Sequence, residues 1–120
     1  MLSIHNDRIG DVAVLQCDGR IERSDAALKL RDAVTAQADA RVIVLDLSEV
    51  ISIEVDGLRM LLFLERWALD HEIELKVFNP SSSVRHRIKD AQSVMDFEIS
   101  TIYNVSTLVP YAEHSAQTHF

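Results

Sequence analysis

Two carboxylates near the middle of the chain have the residue types and spacing that could support chemistry. Glu54 and Asp56 flank Val55 and are followed by Gly57. Paired carboxylates serve as general acid and base in enzymes, but no nucleophile, histidine or glycine-rich loop accompanies this pair. We therefore expect neither an enzyme nor a catalytic residue. At the start of a helix, a carboxylate accepts hydrogen bonds from free amides and opposes the helix dipole, and we interpret Asp56 as such a cap.

The remaining reactive side chains point to structural roles. His86 and Asp90 would share one helix face, but no further ligands lie at a recognisable spacing, so we predict no metal site and no cofactor. Cys17 is the single cysteine and cannot form an internal disulfide, which makes it a small core residue. Ser52 is interpreted as a strand-end residue that hydrogen-bonds locally, with a role as phosphoacceptor left open.

The elements that must position the two carboxylates form an α/β pattern. The apolar run 42–47 predicts a strand that is covered on both faces, followed by an acidic loop and a helix over 58–69. Along the chain the predicted order is strand, strand, helix, strand, helix, strand, helix, strand, helix. It implies a single domain over 1–120, with a mixed sheet of four to five strands packed by about four helices. The core is expected over about 4–104, with a terminal helix and a frayed tail over 105–120.

The predicted central helix has two contrasting faces. At 100° per residue, Gly57, Leu61, Leu64 and Ala68 share the face that should pack on the sheet. The opposite side combines large apolar side chains with arginines, a composition that is enriched at protein interfaces. Its members are Arg59, Leu62, Phe63 and Arg66. Two interpretations stay open here, a contact surface for a partner and burial beneath neighbouring loops or the terminal helix.

Charge and hydropathy restrict the classes of partner. The formal net charge of −7 over 120 residues argues against nucleic acid and against anionic lipid surfaces, since both require basic contacts. No apolar stretch approaches the length that spans a bilayer, and the amino terminus lacks the pattern of a signal peptide. We expect a cytoplasmic protein without direct membrane insertion.

Several segments, taken in order, resemble the STAS domain family and in particular the bacterial anti-sigma-factor antagonists. In that family a buried strand leads to an Asp-Ser-Ser-Gly-Leu motif at the start of the second helix. Here the buried strand and the motif correspond to 42–47 and to Glu54-Val55-Asp56-Gly57-Leu58. The run 14–21 is similar to the family's second strand with its glycine, and 74–88 to its fourth strand and third helix.

The resemblance implies a regulatory protein that acts by partner switching. Members bind an anti-sigma factor of the serine-kinase type and are released when the kinase phosphorylates the first serine of the motif. Val55 occupies the phosphoacceptor position and has no hydroxyl, so it cannot be phosphorylated. Glu54 and Asp56 could then supply a permanent charge that imitates the phosphorylated, released state. The resemblance and the helix face together give these predicted partner-binding residues: Glu54, Asp56, Gly57, Arg59, Leu62, Phe63 and Arg66.

Two other functions of STAS domains are left open by the sequence. One is an accessory STAS subunit docked on a lipid-transport ABC permease through the same helix, and the other is a module that senses a nucleotide or small molecule. A homodimer is left open as well.

Overall fold

The structure is a computed structural model that describes residues 1–95 and 102–103. Its strands and helices alternate as the sequence predicts for an α/β domain. The strands are β1 (Leu2–Ile9), β2 (Val12–Ile21), β3 (Val42–Ile53), β4 (Glu74–Phe78) and β5 (Ile102–Tyr103), and the helices are α1 (Ser24–Thr35), α2 (Val55–Asp70) and α3 (Ser82–Met95). The predicted last strand at 97–99 and the predicted terminal helix over 105–120 lie outside the described residues.

The strands form one mixed sheet with β3 at its centre. Their order is β1-β2-β3-β4-β5. β1 runs antiparallel to β2, whereas β2, β3, β4 and β5 are mutually parallel. A connecting helix is the usual link between parallel neighbours. The prediction of a mixed, helix-covered sheet with the apolar run 42–47 in its middle is confirmed.

The core forms where alternate strand residues meet the apolar faces of α1, α2 and α3, the last through Val84 and Ile88. On β2 and β3, Leu15, Cys17, Ile43 and Leu45 are buried, which is the alternation expected when one sheet face is covered. α1 contributes Ala27, Leu30 and Val34, and α2 contributes Gly57, Leu58, Leu61, Leu64 and Ala68. The neighbouring Leu28 of α1 does not join this face. It is exposed, because a rotation of 100° from Ala27 carries it away from the stripe formed by the other three.

β3 is longer than the sequence suggested, and the expected acidic loop is reduced to a single residue. The strand continues through Val50 to Ile53, because two bulges let it follow β2 past the polar interruption. One bulge lies between the pairs Gln16–Asp46 and Asp18–Glu49, and the other lies between the pairs Gly19–Val50 and Arg20–Ser52. At each bulge β3 has one residue more than β2. Asp18-Gly19 could form a hairpin turn by residue type, but both residues lie inside β2, opposite bulges whose extra residues belong to β3.

The start of α1 differs from the sequence expectation. Ser24 and Asp25 are residue types that favour a helix N-cap, but the residue at the N-cap is Arg23, and no side chain makes a capping hydrogen bond. Asp25 lies inside the first turn, where its Oδ1 accepts a hydrogen bond from the Ala26 amide at 3.0 Å. A carboxylate in the first turn still interacts favourably with the helix dipole.

Gly57 allows α2 to approach the sheet closely. A Cβ at this position would lie 2.7 Å from Ile21 Cγ2 and 2.7 Å from Ile53 Cγ1. Those distances are shorter than real carbon contacts, so any side chain would push the first turn of α2 away from β2 and β3. Of the two roles considered for this glycine, close approach between helix and strand is the one observed.

We predict that Gly57→Ala lowers the free energy of unfolding by about 1–2 kcal/mol, since the overlap with the two isoleucines outweighs the better helix propensity of alanine. Urea denaturation followed by circular dichroism measures the change. Leu69→Ala is the matched control, because Leu69 is 71% exposed on the same helix and should shift stability by less than about 0.5 kcal/mol. Equal stabilities for the two variants would contradict the proposed close approach.

Candidate protein-binding site

The site is built at the junction where β3 passes directly into α2. Ile53 ends the strand, Glu54 is the N-cap with an extended backbone, and Val55 is the first helical residue. Backbone hydrogen bonds hold both sides of the junction. The Glu54 amide donates to the Ile21 carbonyl at 2.9 Å, and the Leu58 amide donates to the Glu54 carbonyl at 2.9 Å. These bonds fix where the helix starts and hence which way Val55 points.

Asp56 does not cap α2, contrary to the sequence interpretation. The N-cap is Glu54, and no side chain makes a capping hydrogen bond there. Asp56 is the second residue of the helix and is half-buried. Only the proposed interaction with the helix dipole therefore applies to it.

The Glu54 carboxylate is paired with an arginine of α3. Arg87 Nη2 lies 2.8 Å from Glu54 Oε1, and Arg87 Nε donates to the Ile53 carbonyl at 3.2 Å. The side chains of Arg87 and Glu54 are 46% and 49% exposed. Sequence reasoning placed Arg87 on a solvated basic face and missed this contact, because the two residues are 33 positions apart and nothing local to either signals the pairing.

Two serines attach the start of α3 to the same end of β3. Ser81 Oγ donates to the Val50 carbonyl at 3.1 Å, and Ser83 Oγ donates to the Ile51 carbonyl at 3.2 Å. The Ser81 hydroxyl also accepts a hydrogen bond from the Val84 amide at 3.5 Å. The prediction that this serine run forms a turn and a helix cap is confirmed, and its bonds to β3 are an addition.

Ser52 is engaged in a hydrogen bond with a distant residue. Its Oγ donates to Glu22 Oε2 at 2.7 Å, and Arg20 lies 3.5 Å from the same carboxylate. These contacts, the serine bond first, lower the pKa of Glu22 below its ordinary value. The expected structural role of Ser52 holds, but its partner is not local.

An exposed stripe runs along α2 from the junction. It consists of Val55, Arg59, Leu62, Phe63 and Arg66, which fall within an arc of about 100° on a helical projection. We call it the α2 stripe. Val55 is 49% exposed and Phe63 48% exposed, Arg59 and Arg66 are exposed, and Leu62 is partly buried. Among the residues whose side chains are described, neither Arg59 nor Arg66 has a salt bridge.

A shallow depression borders the α2 stripe on the side of α1. It has a volume of about 310 Å³ and is lined by Arg31, Asp56, Arg59, Met60 and Phe63. Arg31 comes from α1, so the two helices together surround an apolar floor with a rim of mixed charge that includes the Asp56 carboxylate. The apolar floor suits an apolar side chain of a partner.

The structure corrects one member of the predicted partner-binding set. Gly57 is buried against Ile21 and Ile53, so it cannot touch a partner directly and acts by placing α2. The other members lie at the surface or partly buried near it, and the structure brings them together at the β3–α2 junction and along one side of α2.

The other chemistry-bearing residues that the structure describes include possible metal ligands and the cysteine. In the part of the chain that the structure describes, no three His, Cys, Asp or Glu side chains are grouped as metal ligands. Burial raises the pKa of the Cys17 thiol to about 12, so the thiol stays protonated and unreactive at neutral pH. Within the same residues, no helix is long and apolar enough to cross a bilayer.

Comparisons with known proteins agree on one fold. A family model described as Mlab, STAS domain matches residues 4–91. Among solved structures, an anti-sigma factor antagonist from Mycobacterium paratuberculosis has 22% sequence identity and a TM-score of 0.68, and the match covers 86% of each chain. SpoIIAA, an anti-sigma factor antagonist, in its unphosphorylated form has 12% identity and a TM-score of 0.67 over 96% of this chain and 100% of its own.

The domain is also similar to part of a larger protein. A protein named Mglu has 25% identity and a TM-score of 0.59, and the match covers 67% of this chain but 20% of Mglu. This chain thus spans about a fifth of that relative. No curated protein matches the sequence.

We predict that Phe63→Ala lowers the free energy of unfolding by less than about 1 kcal/mol, because the ring is half-exposed. Leu64→Ala, one residue further along α2 and fully buried, should cost about 2–5 kcal/mol through lost burial and a cavity. Chemical denaturation of both variants measures the difference. A loss at Phe63 as large as that at Leu64 would show that the ring belongs to the core and not to a contact surface.

Proposed function

This chain belongs to the STAS domain family, and from that premise we propose that it is a regulatory protein that acts by binding another protein, not by catalysis. Its partner in this proposal is an anti-sigma factor of the serine-kinase type in the cytoplasm. The similarity to structures of anti-sigma factor antagonists supports this class of partner. The observation that carries the proposal is the α2 stripe, which begins at the position equivalent to the family's phosphoacceptor.

The chemistry of the α2 stripe indicates what the partner surface should look like. The stripe contains two arginines and three apolar side chains, and the one carboxylate in the same arc is that of Asp70 at the far end of the helix, although the chain as a whole has a formal net charge of −7. Arginine next to an exposed aromatic ring is typical of the residues that dominate binding energy. The complementary surface is apolar at its centre with carboxylates around it.

Because position 55 has no hydroxyl, phosphorylation at that position cannot switch the binding off. Val55 is half-exposed at the start of α2, so a serine there would be accessible to a kinase. A phosphate at a helix N-terminus is stabilised by the dipole and the free amides. Valine removes this control, and release must depend on another site or on competition between partners.

A second candidate follows from the same two features, an exposed apolar stripe and no phosphorylatable residue at position 55. A subunit that remains docked on a lipid-transport ABC permease needs a contact surface but no cycle of release. Fractionation of cells distinguishes the two, since this candidate co-purifies with membranes and the first with the soluble anti-sigma factor.

We expect the purified chain to bind at least one serine-kinase-type anti-sigma factor of its source organism, tested one at a time by isothermal titration calorimetry. Phe63→Ala should weaken that binding by about tenfold or more, because an aromatic anchor is lost. Leu69→Ala is the control, since it removes an exposed apolar side chain of α2 outside the stripe. Absence of binding to every such factor, or equal losses for the two variants, would contradict the proposal.

We also expect that the kinase bound in that experiment transfers no phosphate to position 55 of the natural chain but phosphorylates Val55→Ser. Mass spectrometry of the phosphopeptide locates the group, and Val55→Ala controls for the change of side chain size. Phosphorylated Val55→Ser should bind more weakly than the unphosphorylated variant, because added negative charge repels an acidic partner surface. Undiminished binding after phosphorylation would argue against a partner surface at this end of α2.

A further inference from the structure

The ion pair between Glu54 and Arg87 changes the charge that a partner meets at the β3–α2 junction. Glu54 precedes Val55, so its carboxylate stands beside the position where a phosphate would signal release in a switched relative. Arg87 Nη2 lies 2.8 Å from this carboxylate and neutralises it. Asp56, the other carboxylate of the motif, lies in the first turn of α2 and is offset by the dipole of that helix.

We propose that Arg87 of α3 is a positioning residue that keeps the junction competent for binding by neutralising Glu54. The inference rests on the proposed function, because it concerns the same surface and partner. It implies that the Glu54 carboxylate does not imitate a phosphorylated, released state in the natural chain. Removal of Arg87 would create such an imitation.

The geometry separates this role from that of a simple tether. Arg87 makes two bonds with different partners, from Nε to the Ile53 carbonyl at 3.2 Å and from Nη2 to the Glu54 carboxylate at 2.8 Å. The first bond needs only a donor, whereas the second also needs positive charge. Lysine keeps the charge but cannot form the same two-pronged contact. Arg87→Lys should therefore retain binding if neutralisation is what matters.

The effect should appear mainly in the complex. Both side chains of the pair are about half-exposed in the free chain, and exposed ion pairs contribute little to folding. A partner that covers the junction removes water from both groups. An unpaired carboxylate then becomes costly, because its lost hydration is not replaced.

The test measures the affinity of four variants for the anti-sigma factor kinase that the natural chain binds. Arg87→Ala should weaken binding by about ten- to a hundredfold. Adding Glu54→Gln to Arg87→Ala should restore the affinity to within about threefold of the natural chain, because no charge is then left uncompensated. Arg87→Lys should stay within about fivefold because it keeps the charge. Glu54→Gln alone should do the same, because the unpaired Arg87 then faces the carboxylates of the proposed partner surface. Thermal unfolding of every variant checks that the fold is intact, and Arg87→Gln replaces Arg87→Ala if the alanine variant does not fold.

The outcomes separate this inference from the proposed function. If Glu54→Gln fails to restore the binding of Arg87→Ala, Arg87 acts through Ile53 or touches the partner itself, and the inference is overturned. If Phe63→Ala weakens binding and Arg87→Ala does not, this inference is overturned and the proposed function stands. If the natural chain binds no anti-sigma factor kinase, the proposed function fails and this inference fails with it. Restoration by Glu54→Gln supports both.

Discussion

The contact of Gly57 with β2 and β3 is the constraint on which the site depends. Because no side chain separates the first turn of α2 from Ile21 and Ile53, the helix starts directly above the strand ends. Its rotation about its own axis is then set by which residues must enter the core, namely Leu58, Leu61 and Leu64. Once those are buried, the opposite side of the helix has to face outward, and it includes Val55 and Phe63.

The other end of the site is held by polar contacts in addition to packing, since Val84 and Ile88 of α3 are buried in the core. α3 approaches β3 beyond the point where β4 stops pairing with it, since the last paired residues are Asp46 and Phe78. Side chains of α3 and of the turn before it donate to the carbonyls of Val50, Ile51 and Ile53. These bonds connect α3 to the start of α2, although the two segments are far apart in the sequence.

Sequence patterns were sufficient for features that depend on local periodicity. The buried face of α2 follows from spacing along one helix, so the candidate contact surface could be placed before the fold was known. The exposure of Phe63 was one of two interpretations that the sequence left open. The central position of the run 42–47 followed from its apolar character, since such a run is typical of a strand inside a sheet and not at its edge.

Features that depend on long-range geometry could not be predicted in the same way. The Glu54–Arg87 pair and the Ser52–Glu22 bond join residues about thirty positions apart, and any exposed arginine or serine fits the same local pattern. The extension of β3 to Ile53 was missed because its bulges shift the alternation of buried and exposed residues. The cap of α2 was assigned to Asp56 although the helix begins at Val55. Residue propensities did not distinguish Glu54 from Asp56 as the start of the helix.

The side-chain bonds of α3 also bear on how this chain avoids associating with itself. Asp46 is the last residue of β3 that pairs with β4. After Asp46, the side of β3 that faced β4 has no neighbouring strand among the described residues. An unpaired strand edge is a template for pairing with another polypeptide. The hydroxyls of Ser81 and Ser83 and the guanidinium of Arg87 occupy carbonyls along that edge. The chain can therefore keep a twelve-residue central strand without offering its far end for intermolecular β-sheet growth.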